Sequence, residues 1–352
     1  MAGKVVGLDI GTTSVRAAEL TLSKGSATLE RFGQVALPPG AVKDGEVLDT
    51  AAVAAALRQL WAQAKFSSKS VVLGVANQRV VVRQIDLPWL PVEEMRKSLG
   101  FQVQDFIPMP VSEAILDFHP LEEFVSEAGT RMMRMLLVAA ARDMVSSALE
   151  ALQAAGLKPE CVDLTSFAVL RSAVNATEVV VGTGQSEALV DIGANVTNIV
   201  VHVDGVPRFV RVLLMGGADI TDAVAERLGV PAEQAEAIKQ DTGLSAVPGQ
   251  VAGTPAERAI ESAAAAFVEE IRGSVDYYMA QPGAARVTRV VVSGGGSRLN
   301  GLIDRLGVAT RLPVVPARPI ASVKVGKTGL TPEQLAYVEP MVAVPVGLAL
   351  GA

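Results

Sequence analysis

The chain has 352 residues, more than one hydrophobic core usually serves, so two lobes are expected. Half of the residues are hydrophobic, yet charges interrupt them too often for any stretch to reach the roughly 20 apolar residues that cross a bilayer. A net charge of -6 with 4% aromatics offers neither an electrostatic footprint nor a stacking platform for nucleic acid, and a single cysteine excludes an internal disulfide and a cysteine-based zinc site.

The opening residues MAGKVV lead directly into a strand and leave no room for a signal peptide, so the chain is expected in the cytoplasm. β-Branched, alternating runs predict strands at 4–10, 15–22 and 27–36, the second and third joined by a tight turn at Lys24-Gly25. Asp49 is a good N-cap for a helix whose stripe carries Val53, Leu57, Leu60, Trp61 and Ala64. Strands at 70–76 and 79–87 follow. The stretch from Pro91 to the Pro108/Pro110 pair then brackets a helix that breaks the pattern. With strands at 113–119 and 131–140 and a helix at 141–155 it predicts a small α+β insertion over 84–160, in which EEFVSEAGT reads as an exposed loop. Cys161 opens a strand, where a buried, inert thiol is expected. His119 and His202 have no ligand-type neighbours at metal spacing.

A helix around LTSFAVLRSAV and a polar break at GTGQSE precede the second half, which repeats the first: strands at 187–192, 197–203 and 206–214, with a turn at Asp204-Gly205. Helices at 217–228, 231–240 and 255–280 follow, the last with Thr254 as N-cap and Pro255 at its first position. A strand at 288–293 enters SGGGSRLNGL, and a helix ends the chain.

VVGLDIGTTS at 5–14 and EALVDIGANV at 187–196 are the same device used twice. Each is a strand ending in an aspartate, then a glycine and small polar residues at the turn. Backbone N–H groups and hydroxyls at such a tip can converge on a phosphate, because no bulky Cβ blocks the approach. The aspartate would hold Mg²⁺ through water, since that ion prefers one or two carboxylates plus phosphate oxygens. Two such hairpins facing each other would clamp a triphosphate. Gly294, Gly295 and Gly296 form a third loop fit for adenosine or phosphate, while VGKTGL at 325–330 falls short of a Walker A loop.

GLDIGTTSVRAAEL, ALVDIGANVTNIVV, LMGGADIT and SGGGSRLNGL follow one another as they do in the actin-like ATPase superfamily, which the chain resembles over nearly its whole length. The resemblance implies an α/β, bilobed fold of two duplicated ribonuclease-H-like domains with a small α+β insertion. Its parts would be 1–83, the insertion 84–160, a return at 161–184, a second lobe 185–324 with a helical adenine-side subdomain about 225–285, and a C-terminal helix within 325–352 returning to the first lobe. It further implies ATP and Mg²⁺ as cofactors. Asp9, Gly11, Thr12, Thr13 and Ser14 would form the first phosphate loop, and Asp191, Gly193, Asn195 and Asn198 the second, with Asp9 and Asp191 serving the metal. Gly216 and Gly217 would run along the phosphates, Glu236 and Lys239 would flank adenine and ribose, and Asp163 would orient an attacking water. From the residues alone, Glu236 and Lys239 are equally an i,i+3 pair on a solvated face, Asp163 an N-cap, and Arg16 a salt-bridge partner.

RQIDLPWLPVEEMRKSLGFQVQDFIPMPVSEAILDFHPL resembles the PilM family of type IV pilus assembly proteins. What that resemblance implies is an adaptor at the inner face of the cytoplasmic membrane. It would hold the N-terminal tail of PilN, a single-pass inner-membrane protein, beside other pilus assembly proteins, without inserting in the membrane itself. Leu99, Phe101, Val103, Phe106 and Ile107 would wall the groove; alternatively they form the insertion's own core, and Trp89 is a groove residue or a hinge anchor. An FtsA-like cytoskeletal protein and a superfamily kinase or ATPase are the competing readings.

Overall fold

The structure is a computed structural model that describes residues 3–174, 186–245 and 253–352. Most of the polar break expected at GTGQSE lies outside the described residues. The first lobe begins with the meander β1 (Gly3–Ile10), β2 (Ser14–Ser23) and β3 (Ser26–Ala36), then a two-residue hairpin of β4 (Val42–Lys43) and β5 (Glu46–Val47) and helix α1 (Thr50–Ala64). Strand β6 (Ser70–Val75) leads into β7 (Val80–Pro88), α2 (Val92–Gln102), β8 (Ala114–Val125), β9 (Arg131–Ala141), α3 (Arg142–Ala154), β10 (Lys158–Leu164) and α4 (Thr165–Val174). The second lobe has β11 (Ser186–Ile192), β12 (Thr197–Val203), β13 (Val206–Leu213), α5 (Gly217–Leu228), α6 (Ala232–Thr242), α7 (Pro255–Met279), β14 (Val287–Ser293), α8 (Leu302–Thr310) and β15 (Val314–Pro316). Short β16 (Lys324–Val325), α9 (Pro332–Val338) and α10 (Ala343–Leu350) close the chain.

Both main sheets share one topology. Their orders are β10-β6-β1-β2-β3, extended at its edge by β16, and β15-β14-β11-β12-β13. In each, an antiparallel meander is followed by two parallel strands, and a helix after the fifth strand packs between the sheets. The turns that close the meanders carry the chemistry their sequences promised: Gly25 is left-handed, and Asp204-Gly205 has both residues at positive φ.

Alternation along the strands decides which layer each face meets. Ala188, Val190 and Ile192 of β11 join the core beneath α5 and α7, whereas Leu189 faces the other way, into a cluster with Ala168, Val169, Val344 and Leu348. That second cluster is built by α4 and α10, the two helices sandwiched between the sheets. Helix α10 is apolar on every side and buried from Ala343 to Ala349, as a helix with no polar face must be. It crosses α4 backbone to backbone: a Cβ on Gly347 would collide with the carbonyl of Ala168 and lie 2.9 Å from its Cα.

Three expectations are corrected. Helix α3 belongs to the first lobe, not to the insertion, because Met144, Val145, Ala148, Ala151 and Leu152 complete the core that Val53, Leu57 and Leu60 of α1 begin. The insertion proper is the three-stranded sheet β7-β9-β8 with α2 on one face. EEFVSEAGT is a loop only in its second half, the turn at 126–130, since β8 runs to Val125: Glu122 and Glu123 ion-pair with Arg134 and Arg131 of β9, and these cross-strand pairs carry the ladder outward. Pro120 is tolerated because β8 is an edge strand. Cys161 is exposed on β10, an edge strand of its sheet; desolvation and the nearby Asp163 carboxylate still push its thiol upward, away from the reactive thiolate.

Gly347→Ala tests the helix crossing. The added methyl has no room to relax into backbone, so the substitution is expected to cost about 3 kcal/mol, read as a lowered denaturation midpoint at unchanged m-value. A midpoint equal to wild type would show that α4 and α10 can separate freely.

Candidate functional site

The two DIG hairpins meet across the interlobe cleft. Asp9 ends β1 opposite Arg16 on β2, and Asp191 ends β11 opposite Asn198 on β12, so the two aspartates occupy the same register position in the two halves. At each tip a glycine amide closes the turn, Gly11 N donating to Ser14 O at 3.0 Å and Gly193 N to Val196 O at 2.9 Å. No described group accepts from the amides of Thr12 and Thr13 or of Ala194 and Asn195, and all four residues line the cleft. The Ser14 hydroxyl is buried without a hydrogen-bond partner. A buried orphan hydroxyl costs free energy unless a ligand meets it.

Three glycine segments interlock because none carries a Cβ. Gly217 N donates to Gly193 O at 3.0 Å, and Ala218 N to Ala194 O at 2.8 Å. A Cβ on Gly216 would sit 2.5 Å from the carbonyls of both Gly193 and Ala194. Gly294 is held at φ +83° with the Ile192 backbone directly beneath it, and its amide donates to Pro340 O at 2.7 Å. The N-terminus of α5 thus opens onto the cleft beside Gly217, where its dipole favours an anion.

Electrostatics separates the two carboxylates. Burial raises Asp9, and Arg16, 3.6 Å from its Oδ2, works against that rise. Burial likewise pushes Asp191 up to about 6. Hydrogen bonds from Ser293 and Asn198 and the charge of Arg16 pull it down, while the charge of Asp9 adds to the rise. Ser293 Oγ donates to Asp191 Oδ1 at 2.7 Å. A buried carboxylate that feels the charge of a second is in an unfavourable setting that a cation between the two would relieve. Among the described residues no cluster of three His, Cys, Asp or Glu side chains exists, so a metal here would take its remaining ligands from water and phosphate. The residues therefore fit a magnesium-bound triphosphate.

Beyond the phosphate loops the cleft continues through cavities of about 580 and 320 Å³ that share Gly217, Glu236, Lys239, Gly295 and Gly296. Lys239 is only 7% exposed, and its Nζ donates to Gly217 O at 2.9 Å and Thr221 Oγ1 at 2.8 Å besides pairing with Glu236 at 2.6 Å. That burial rules out a solvated helix-face pair. Burial raises Glu236, but hydrogen bonds from Lys239, Thr221 and Gln240 outweigh it and hold the carboxyl below its ordinary value.

Other sequence-predicted residues lie elsewhere. Asp163 ion-pairs with Arg171, whose Nε donates to Gly347 O at 2.9 Å, so it braces α10 and is not among the residues lining the chamber at Asp9 and Asp191. Leu99, Val103 and Ile107 are buried in the insertion's core with Met95, and Phe106 packs against that core; only Phe101, 84% exposed, faces outward. Four of the five therefore serve the insertion's own core, the alternative the sequence had left open. Trp89 packs against the insertion core, under the Arg131 guanidinium and hydrogen-bonded to Glu123. Sequence reading missed Ser293 and Thr221. Ser293 was findable as the parallel-strand neighbour of Asp191, and Thr221 as the residue one helical turn after Gly217.

Two lobes of identical strand order, each giving an aspartate and a glycine tip to one cleft, define an actin-like ATPase fold. MreB5 of Spiroplasma citri bound to ADP shares it, with a TM-score of 0.54 at 12% identity over 99% of this chain and 95% of that one. The family model described as type IV pilus assembly protein PilM matches residues 7–352, and the chain belongs to that family. A chain of a solved PilM-PilN type IV pilus biogenesis complex superposes with a TM-score of 0.86 at 28% identity, covering 99% of this chain and 98% of that one. Among curated proteins, the cell division protein FtsA of Streptococcus pneumoniae serotype 2 (strain D39 / NCTC 7466) is 26% identical over 264 residues, 68% of this chain and 56% of its own length. FtsA of Bacillus subtilis (strain 168) is 23% identical over 261 residues, 68% and 58%. The chain thus spans less than two thirds of those relatives.

Asp191→Asn should stabilise the empty protein. A carboxyl titrating near 6 when folded and at 3.8 ordinarily binds its proton more tightly in the native state, so its stabilising contribution is full below 3.8 and is lost as pH rises through 6. At about pH 7.5, with chelator and no nucleotide, the amide variant is expected to be more stable by about 2 kcal/mol, the gap closing toward pH 5. A gap that does not change with pH in thermal or denaturant unfolding would contradict the buried charge.

Proposed function

We propose that the chain is an ATP-binding, actin-like adaptor of the type IV pilus assembly machinery. It holds the N-terminal cytoplasmic tail of the inner-membrane protein PilN, and so sits at the inner face of the membrane through its partner. The observation that carries this reading is the superposition of the whole chain, insertion included, on a chain of the PilM-PilN complex. No described helix is long and apolar enough to cross a membrane, which agrees with attachment through a partner.

The nucleotide is read as a ligand that sets lobe geometry. When bound, Mg-ATP would supply the negative charge and the cation that the amides and carboxylates of the two hairpins suit. Thr12, Thr13, Ala194 and Asn195 present their amides to the phosphates, Ser14 its orphan hydroxyl, and Asp9 and Asp191 their carboxylates to the metal. Gly216, Gly217 and Gly294 to Gly296 let backbone approach closely, and Glu236 and Lys239 meet the ribose side. Asp9 and Asp191 are the only carboxylates among the described residues lining the chamber, and Val47, Leu73, Val75, Met144 and Ala148 give it an apolar side. With Asp163 engaged by Arg171, no described carboxylate is left there as a dedicated base, which supports slow turnover and a switching role.

We propose that the peptide groove runs along the seam between insertion and lobe. Met109 packs against both the first-lobe core and the insertion core, with Val80, Val82 and Val138 part-buried along the same line. An extended peptide fits such a seam by burying alternate side chains. An FtsA-like filament role has less support, because the FtsA relatives match only 68% of the chain at 23–26% identity.

Asp9→Ala and Asp191→Ala are each expected to weaken Mg-ATP binding by about 10–100-fold in calorimetry, since each removes a carboxylate from the metal's water shell. Unchanged affinity in both variants would sink the clamp. Titration of the full chain with N-terminal peptides of inner-membrane proteins encoded nearby should find one saturable binder whose scrambled version does not bind. Failure of every such peptide would remove the adaptor reading.

A further inference from the structure

The chamber beside Asp9 and Asp191 is walled on its far side by three separate pieces of chain: Gly45 and Val47 of the β4–β5 hairpin, Ala76 after β6, and Met144 and Ala148 of α3. All three converge on the root of the insertion. Asn77 to Arg79 carry the chain from β6 into β7, and Ala141 N donates to Arg79 O at 3.2 Å where β9 turns into α3. Gly45, at φ +82°, is pressed against the Ala76 carbonyl so closely that no Cβ fits between them.

One side chain joins the pieces. Arg79 donates from Nη1 to Glu46 Oε1 at 2.8 Å, and from Nη2 to Asp143 Oδ1 at 2.6 Å and Oδ2 at 2.8 Å. Its fork therefore spans β5, the start of β7 and the first turn of α3. We infer that Arg79 is the positioning residue that couples the nucleotide chamber to the insertion, so that nucleotide occupancy changes the affinity of the peptide seam. The inference rests on the adaptor reading and names how that site is regulated.

Two features favour a positioning role over a purely structural one. The side chain of Arg79 is 46% exposed and that of Asp143 70%, a setting in which ion pairs contribute little to folding. Yet the planar fork, reaching both oxygens of one carboxylate, fixes relative orientation where a point charge would not. A shift of the chamber wall is thereby passed to β7 and β9, which carry the insertion sheet, and β7 also meets β13 of the second lobe.

The experiment measures the dissociation constant of the full chain for an N-terminal PilN-type peptide, with and without Mg-ATP, in wild type, Arg79→Met, Arg79→Lys and Asp143→Asn. In wild type the two constants should differ by at least about fivefold. In Arg79→Met and Asp143→Asn the ratio should fall to within about twofold of one, while thermal midpoint and Mg-ATP affinity stay close to wild type. Arg79→Lys should keep part of the ratio. If wild type binds both ligands without coupling, or Arg79→Met retains the wild-type ratio, the inference is overturned and the adaptor reading stands. If wild type binds no peptide, both fall.

Discussion

The structure depends on holding two carboxylates, the partly buried Asp9 and the buried Asp191, so close that the charge of the first acts on the second. Nothing in folding alone favours this arrangement, since each loses hydration and the charge of Asp9 raises Asp191 further. It is tolerated because the two hairpins are not electrostatically alike. Arg16 stands across the ladder from Asp9 and its guanidinium reaches to within 3.9 Å of a Cβ placed on Gly295, so one cation serves the first loop and approaches the third. Asp191 has a neutral Asn198 in the equivalent place, and Ser166 donates to Asn198 Oδ1 at 3.2 Å, which turns the amide N–H₂ toward the carboxylate. The second aspartate is thus the less compensated of the two and the one whose charge a bound cation relieves most.

Distance across the cleft is set by the helices behind it. Each lobe sends one helix, α4 or α10, between the sheets after its fifth strand, and the two cross where Gly347 meets Ala168. Gly7 of β1 and Gly74 of β6 are likewise covered by Leu348 and its neighbours, so α10 lies flat on the strands that carry the first loop. Arg171 fastens this layer by joining Asp163 to the Gly347 carbonyl. Asp163 is therefore a structural brace at the position where sequence likeness suggested a catalytic group.

How much of this was legible depends on whether the signal was local. Turn residues, N-caps and strand alternation sit next to the atoms they control: Asp49 accepts from Ala52 N, and Thr254 forms its capping box with Glu257. The duplicated DIG hairpin was legible because repetition at one register leaves a trace in sequence. The insertion's inner face stayed open between two readings because a helical stripe looks the same whether it meets a groove or its own sheet. Helix α3 was assigned to the insertion since its partner α1 is some 90 residues earlier, a contact that no periodicity reveals. The same limit hid Arg79, an exposed arginine whose partners Glu46 and Asp143 are 33 and 64 residues away.

Duplication also explains where the insertion stands. Between the fourth and fifth strands the second lobe has the loop of Gly294 to Gly296 and α8, while the first lobe has the insertion and α3. The two are topological counterparts, and each leaves its sheet at the carboxyl end of a parallel strand, where open α/β sheets place their ligands. In the second lobe that exit became a backbone cradle for the cleft. In the first it was extended into a separate sheet whose root still forms the chamber wall. A partner held by the insertion, as proposed, would touch the same crossover that in the other half lines the cleft, so the two sites would share a wall without sharing a ligand.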